Sequence, residues 1–128
     1  MRAYLPITQS DLVEFIDTQS HNASRAFAPT SDFVNDNLDC DQEEIEYLLS
    51  ILAAEVALEI RVTKGAQGIL LALELNEAQC GESHQDSITL SSPIHWEQVQ
   101  CVLLAHEDED ELIWFATQEI LQEIDNWK

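Results

Sequence analysis

A long amphipathic stretch in the middle of the chain constrains the fold more than any other segment. Within Asp41–Arg61, apolar residues recur at the i, i+3, i+4 and i+7 spacing of one helix face, and they are Ile45, Leu48, Leu49, Leu52, Val56 and Ile60. Asp41 followed by Glu44 has the form of a capping box, which satisfies free amide donors at a helix start. At ~1.5 Å per residue this helix is roughly 30 Å long, the width of a small domain. The rest of the chain is therefore expected to pack against it.

The flanking segments predict about five strands and several helices. The strand candidates are Arg2–Ile7, Arg25–Ala28, Gly68–Leu75, Ser87–Leu90 and Val99–Ala105. The shorter helix candidates are Thr8–Thr18, a turn around Phe33 and Val34, and Ser92–Trp96. A second long amphipathic helix is predicted over Leu112–Trp127, with Ile113, Ala116, Ile120, Ile124 and Trp127 on one face. This order predicts a single globular domain over residues 1–128, an α+β (or α/β) sandwich in which two long amphipathic helices pack on a mixed sheet.

Three local details complete the predicted fold. Gly65 is the candidate C-cap glycine of the long central helix. Gly68–Leu75 and Ser87–Leu90, joined by a polar loop, are expected to form a long-looped hairpin. Gly68–Leu75 and Val99–Ala105 are apolar on both faces, which indicates strands in the interior of the sheet.

The charge of the chain is strongly one-sided. The sequence has 25 acidic and 5 basic residues, for a formal net charge of −20. No Lys or Arg lies between Arg25 and Arg61 or between Lys64 and Lys128. Such a chain repels nucleic acids and anionic membranes and attracts basic partners or divalent cations. The alternative is that the acidity only keeps the protein soluble or reflects a host with a salty environment or an acidic proteome.

The sequence contains no motif that assigns an enzymatic reaction or a cofactor. Cys40, Cys80 and Cys101 are odd in number and form no CxxC pair, so neither a disulfide framework nor a zinc site is indicated, although Cys80 lies in a predicted loop where it could react. The run that starts at His106 does not match the HExxH pattern, because the residue four places on is Asp110. No catalytic, cofactor-binding or metal-ligating residue is therefore predicted.

The location of the protein is predicted from what its segments lack. The longest uncharged stretches, Gly65–Leu73 and Ser87–Trp96, are shorter than the ~20 apolar residues of a membrane span. The N-terminal residues show no apolar core of a secretory signal. We expect a cytoplasmic protein that does not bind membranes.

Short motifs at the two ends carry a family resemblance. The first, Met-Arg-x-Tyr-Leu-Pro, is Met1–Pro6 here, and the second, Leu-x-Trp-aromatic-Ala-x-Gln-Glu, is Leu112–Glu119. Acidic residues before Tyr47, starting at Glu44, give a weaker third match. With these motifs the chain resembles a family of uncharacterised small actinobacterial proteins, a domain of unknown function. The resemblance implies a cytoplasmic, single-domain bacterial protein and no particular activity, cofactor or catalytic residue.

The candidate interaction residues lie around the start of the predicted C-terminal helix. Five consecutive acids, Glu107 to Glu111, are expected at its N-terminus, where the helix dipole favours negative charge. Trp114 lies off the apolar stripe and could anchor a partner, or it could pack on a second element of the same domain. Gln118 is uncharged within an acidic segment. The predicted interaction residues are Glu107, Asp108, Asp110, Glu111, Trp114 and Gln118.

Three hypotheses about function follow, each from a different class. The favoured one is a small, non-enzymatic interaction or regulatory protein that uses its acidic surface to bind a basic partner. A narrower version is a DNA mimic whose carboxylates imitate phosphates and inhibit a nucleic-acid-binding protein. The third is an enzyme of an unrecognised type, which would require a pocket with a perturbed carboxylate or histidine.

Overall fold

A computed structural model describes residues 1–109 and 111–127 of the protein. Within these residues the strands are β1 (Arg2–Ile7), β2 (Ser20–His21), β3 (Arg25–Phe27), β4 (Gly68–Glu74), β5 (Cys80–Ser83), β6 (Ser87–Leu90), β7 (Ile94–His95), β8 (Val99–Ala105) and β9 (Ile113–Ala116). The α-helices in the same residues are α1 (Gln9–Thr18), α2 (Ser31–Asp36), α3 (Gln42–Ile60) and α4 (Ile120–Glu123). Short 3₁₀ turns cover Glu77–Gln79, Trp96–Gln98, Thr117–Glu119 and Ile124–Trp127.

The main sheet of the described residues has seven strands in the order β5-β6-β3-β1-β4-β8-β9. All of its neighbouring strands are antiparallel, and β2 and β7 form a separate antiparallel pair. The α+β class and the five predicted strands are therefore confirmed. The mixed sheet is wrong, and the strand count is too low because short strands such as β5 and β9 exist only through their pairing with a neighbour.

Strand β4 lies inside the sheet, between β1 and β8. Leu71, for example, lies opposite Leu5 of β1 and Val102 of β8. The prediction that this segment pairs with Ser87–Leu90 is wrong, because β6 lies between β3 and β5. A strand that is apolar on both faces is stabilised most by two long neighbours, and β1 and β8 provide them.

Helix α3 begins as predicted and packs closely on the sheet. Its capping box is formed, with Glu44 N–H donating to Asp41 Oδ1 at 2.9 Å and Asp41 N–H donating to Glu44 Oε1 at 3.4 Å. The buried side chains include Ile45, Leu49, Ala53 and Ala57, whereas Ile60 is exposed. The residues of α3 that face the sheet thus follow an i, i+4 spacing, and those in the C-terminal half of the helix are small. Small side chains let the helix backbone approach the strands.

Two glycines near the end of α3 have different roles. A Cβ on Gly68 would lie 2.9 Å from Leu58 N and 3.0 Å from Ala57 Cβ, so α3 and β4 approach each other too closely for a side chain. Gly65 has φ +91° and lies in the loop after the helix. The predicted glycine C-cap is wrong, because α3 ends at Ile60 and its C-cap residue is Arg61.

The sheet has an apolar cluster on each face. One cluster joins the sheet to α3 and to Phe33 of α2. The other joins it to α1 and to the C-terminal segment, through residues such as Phe15, Ile120 and Trp127. The architecture is therefore three-layered, with the sheet in the middle. None of the helices formed by the described residues combines the length and apolar character that a membrane span requires.

The predicted second long helix, Leu112–Trp127, is wrong. Ile113–Ala116 forms strand β9, which pairs with β8, and only the residues after it are helical, in short α and 3₁₀ turns. Ile120, Ile124 and Trp127 are buried on the sheet with helical spacing. The 3.6-residue period therefore holds for the last turns. The first residues are stabilised more as a strand, because they pair with β8 and pack Phe115 against Trp127. The predicted helix at Ser92–Trp96 is also wrong, because Ile94–His95 is strand β7.

Candidate functional site

The predicted acidic run lies in a β-hairpin connection and not at a helix start. Glu107, Asp108 and Glu111 are exposed and lie between β8 and β9, while Asp110 is outside the described residues. Glu109 N–H donates to the His106 carbonyl oxygen at 3.2 Å and closes a turn. The helix-dipole account of these acids is therefore wrong. We call β8, β9 and their connection the acidic hairpin.

Arg61 ties the acidic hairpin to the end of α3. Its Nη1 donates to the Ala66 carbonyl oxygen at 2.9 Å, and its Nη2 donates to Glu107 Oε2 at 3.0 Å. The Arg61 side chain is only 13% exposed, compared with 57% for Glu107. A planar guanidinium can bond in two directions at once, so one side chain fixes both the loop after α3 and the hairpin.

A groove of about 500 Å³ lies between α3 and the acidic hairpin. Its floor is apolar and consists of Leu48, Ile51, Ala54, Leu58, Ala105 and Leu112. Its polar lining residues are Tyr47, Glu55, His106, Glu107 and Glu109. Tyr47 is 59% exposed although it is aromatic. The groove therefore combines an apolar floor with a carboxylate rim, which suits a ligand that is apolar on one side and cationic on the other.

Trp114 projects from the edge strand β9 on the α3 side of the sheet. It lies opposite Leu103, which packs against the α3 cluster, and side chains directly opposite in an antiparallel pair share a face. Burial raises the pKa of the Cys101 thiol, and the Trp114 side chain partly offsets this effect. The indole is nevertheless 59% exposed, so packing within the domain covers less than half of it.

The segment after β9 is anchored to the sheet and leaves Gln118 at the surface. Thr117 Oγ1 donates to the Val99 carbonyl oxygen at 3.1 Å, and Ala116 N–H donates to Glu119 Oε1 at 2.9 Å. Gln118 lies between these two contacts and is exposed. The structure thus brings Glu107 and Trp114 onto one hairpin, while Gln118 lies beyond the strand end.

Comparison with protein families places the chain. The model of a family of unknown function, DUF6912, matches residues 1–111. The chain belongs to this family. Neither the curated proteins nor the solved structures yield a match.

The span shared with DUF6912 includes most, but not all, of the candidate site. It contains α3, the groove residues from Tyr47 to Glu109 and all four predicted acids, Glu107, Asp108, Asp110 and Glu111. It ends before Leu112, so Trp114 and Gln118 lie beyond the matched residues. The N-terminal motif Met1–Pro6 lies inside the match, and its residues from Arg2 onwards belong to β1.

The part of the groove that α3 provides was not predicted from the sequence. Tyr47, Ile51 and Leu58 lie off the predicted apolar stripe, yet all three line the groove. The signal was present in the sequence, because a helix with apolar residues outside its packed face either is buried on all sides or presents a second surface. No pattern in the sequence could show that the hairpin is the element facing that surface.

Cys80, Cys101 and His84 do not line the groove. Cys80 is half-buried and its Sγ donates to the Asn76 carbonyl oxygen at 3.4 Å, whereas Cys101 is buried. His84 Nε2 is buried with no hydrogen-bond partner among the described atoms. Within residues 1–109 and 111–127, no three His, Cys, Asp or Glu side chains form a group that could hold a metal ion.

Proposed function

We propose that this protein is a non-enzymatic interaction or regulatory protein that binds a basic partner through the acidic hairpin. The observation that supports it is the groove between α3 and the hairpin, which has an apolar floor and the carboxylates of Glu55, Glu107 and Glu109 at its rim. The exposed Trp114 on the same side of the sheet supplies a residue type favoured at binding hot spots. Apolar contact provides affinity in such a site, and the rim charges select cationic partners.

The overall charge supports the same class of partner. With a net charge of −20, the chain attracts cations over a distance of about one Debye length, ~10 Å at 0.1 M salt. Arg61, one of five basic residues in the sequence, is already bonded to Glu107 and cannot neutralise the rest of the rim. The same field opposes direct binding of DNA or RNA. Association should therefore be fast and strongly salt-dependent.

A charge-matched pair of variants tests this proposal. In the first variant, Asp108→Asn, Glu109→Gln and Glu111→Gln remove three exposed acids of the hairpin connection. In the control, Glu14→Gln, Asp17→Asn and Glu82→Gln remove three exposed acids from α1 and β5. Both variants change the net charge equally, so a difference between them reports the position of the charge.

The measurement is affinity capture from host lysate at low and high salt, with the bound proteins identified by mass spectrometry. We expect a basic protein that the wild type and the control variant retain, that the hairpin variant loses, and that high salt releases. Equal loss in both variants would show that the charge acts without a defined site. If no basic protein is enriched, the proposal is wrong and the acidity serves solubility.

The same capture distinguishes the two alternative hypotheses. If the retained partner binds nucleic acids and a DNA duplex competes with the protein for it, the narrower DNA-mimic hypothesis applies. If the protein retains no protein partner but binds a small molecule in one of its cavities, an enzyme or a ligand-binding protein replaces the proposal.

A further inference from the structure

The two edges of the main sheet differ in their protection against strand pairing. At one edge, β5 carries the charged residue Glu82, and its pairing with β6 is irregular between Cys80 and Ser83. Charges and bulges are the usual devices that prevent an edge strand from pairing with another chain. At the other edge, β9 has the sequence Ile-Trp-Phe-Ala, is regularly paired with β8 and carries neither device. An unprotected apolar edge of this kind is a template for an added strand.

The backbone of Trp114 faces the open side of β9. Ala116 N–H donates to the Glu119 side chain and not to β8, so Ala116 belongs to the outward-facing positions of the strand. Antiparallel ladders alternate between pairs that bond each other and pairs that point away. Trp114, two residues before Ala116, therefore presents both its N–H and its C=O at the edge. Glu119 closes this edge after Ala116 and limits it to a short segment.

Charge selects the occupant of this edge. The added strand would run beside the connection that carries Glu107, Asp108, Glu109 and Glu111. A second copy of this chain would bring an equal net charge of −20 to the same place, so self-pairing is opposed by repulsion. A segment rich in Lys and Arg is attracted instead. Its apolar side chains would lie beside Trp114, which is 59% exposed.

We infer that the basic partner binds as an extended segment that adds a strand to β9, with its cationic side chains next to the acidic connection. This inference rests on the proposed function and specifies how the partner is held. Backbone hydrogen bonds to Trp114 give the complex its alignment, and the indole packs against alternate side chains of the segment. A cationic helix lying in the groove is the competing mode of binding.

Synthetic peptides test the mode of binding without knowledge of the partner. The probe is a peptide of alternating Lys and Val, and it is compared with two forms that are N-methylated at either the odd or the even positions. An added strand bonds the protein through only one of its own edges, so one methylated form should bind about tenfold or more weakly while the other is little changed. A helical Lys and Leu peptide of equal charge is the control for the competing mode.

Two variants of the protein provide the complementary measurement. Trp114→Ala removes the indole and keeps the outward N–H, whereas Trp114→Pro removes both. Proline is tolerated on edge strands whose N–H faces solvent, and circular dichroism verifies the fold. We expect Trp114→Pro to bind the alternating peptide several-fold more weakly than Trp114→Ala. In the wild type, NMR should show slower amide exchange at Trp114 when the peptide is bound, which requires no variant to fold.

The outcomes separate this inference from the proposed function. Strand addition is supported if only one of the two N-methylated peptides binds more weakly and if the Trp114 amide is protected from exchange. Binding of the helical peptide in the groove, with both methylated forms unaffected, overturns strand addition and leaves the proposed function intact. If none of the cationic peptides binds at low salt, both the proposed function and the strand-addition inference are wrong. Dimerisation of the protein alone through β9 would also overturn the inference.

Discussion

Gln79 and Gln98 bond each other through both of their side-chain amides in the interior of the protein. Gln79 Nε2 donates to Gln98 Oε1 at 2.9 Å, and Gln98 Nε2 donates to Gln79 Oε1 at 2.6 Å. The remaining amide sites bond the backbone of four residues, Asn76, Pro93, Glu74 and His95. All donor and acceptor sites of the two amides are thus used, and the pair joins the segment before β5 to the segment before β8.

Gln98→Ala should lower the free energy of unfolding by ~2–4 kcal/mol, because it leaves one donor and one acceptor site of the buried Gln79 amide, the His95 N–H and the Glu74 carbonyl oxygen without their partners. Urea denaturation measures the change. Gln100→Ala, at an exposed neighbouring position, is the control and should change stability by less than ~0.5 kcal/mol. The double variant Gln79→Leu and Gln98→Leu should cost less than the sum of its single variants, since it removes both partners. Additive costs would contradict a coupled pair.

Gly68→Ala should destabilise the protein by ~1–3 kcal/mol through overpacking. The new Cβ would lie 2.9 Å from the Leu58 backbone nitrogen, and a backbone atom cannot move aside without shifting α3. Gly65→Ala is the comparison, because no atom lies within 4 Å of its Cβ and only the positive φ opposes the substitution. Unfolding by urea, with the NMR shifts of α3 as a second readout, separates the two effects. If Gly68→Ala leaves the shifts of Ala57 and Leu58 unchanged, the close approach is not a constraint.

Arg61 and Glu107 should contribute unequally to stability although they share one ion pair. Glu107→Gln should cost less than ~1 kcal/mol, because the carboxylate is 57% exposed and exposed ion pairs contribute little. Arg61→Ala should cost more, since it also removes the donor to the Ala66 carbonyl oxygen. It should also speed amide exchange in the acidic hairpin, which NMR measures. Equal effects of the two variants would show that the ion pair alone matters.

The Cys101 thiol should make stability decrease at alkaline pH. Burial raises its pKa above the usual 9.0, so the unfolded chain loses this proton at a lower pH than the folded protein does. The stabilising contribution is complete below the unfolded pKa and declines as the pH rises towards the folded pKa, by at most ~1.4 kcal/mol per pH unit. Cys101→Ala should flatten the decline that urea denaturation measures from pH 8 upwards, with about pH 9 as the expected onset. A variant curve parallel to the wild type would contradict this assignment.

Tyr4 should extend the same decline to higher pH. Burial, followed by the nearby negative charge of Glu46, raises the pKa of the Tyr4 hydroxyl above its usual 10.0. The unfolded chain again releases its proton first, so stability falls as the pH rises beyond about 10. Tyr4→Phe removes this group with little change in volume. When the free energy of unfolding is plotted against pH, the Tyr4→Phe curve should diverge from the wild-type curve at a higher pH than the Cys101→Ala curve does.

Several elements of the fold could be predicted from the local sequence alone. The capping box at Asp41 and Glu44, the strand Arg2–Ile7 and the start of α1 at Thr8 were all predicted and are all confirmed. At the two helix starts the deciding interactions lie within a few residues of one another, such as the bond from Asp11 N–H to the Thr8 side chain. Strand Arg2–Ile7 pairs with distant residues, but its alternating apolar pattern was sufficient to predict it. The alternating or continuous apolar patterns of β4 and β8 also gave their bounds to within a residue.

The remaining elements depend on tertiary structure, and the acidic hairpin is the clearest example. The helical period of Leu112–Trp127 is real, yet Ile113–Ala116 pairs with a strand that ends seven residues before Leu112, and this pairing turns the acidic run into a hairpin connection. Likewise, Tyr47 becomes part of a groove only because the fold places α3 opposite that hairpin, where Arg61 at the end of the helix bonds to Glu107. Hydrogen bonds between strands and contacts between layers involve residues distant in sequence. The composition alone sets the net charge of the protein, whereas the pairing of β8 with β9 determines where the acids of the hairpin connection lie.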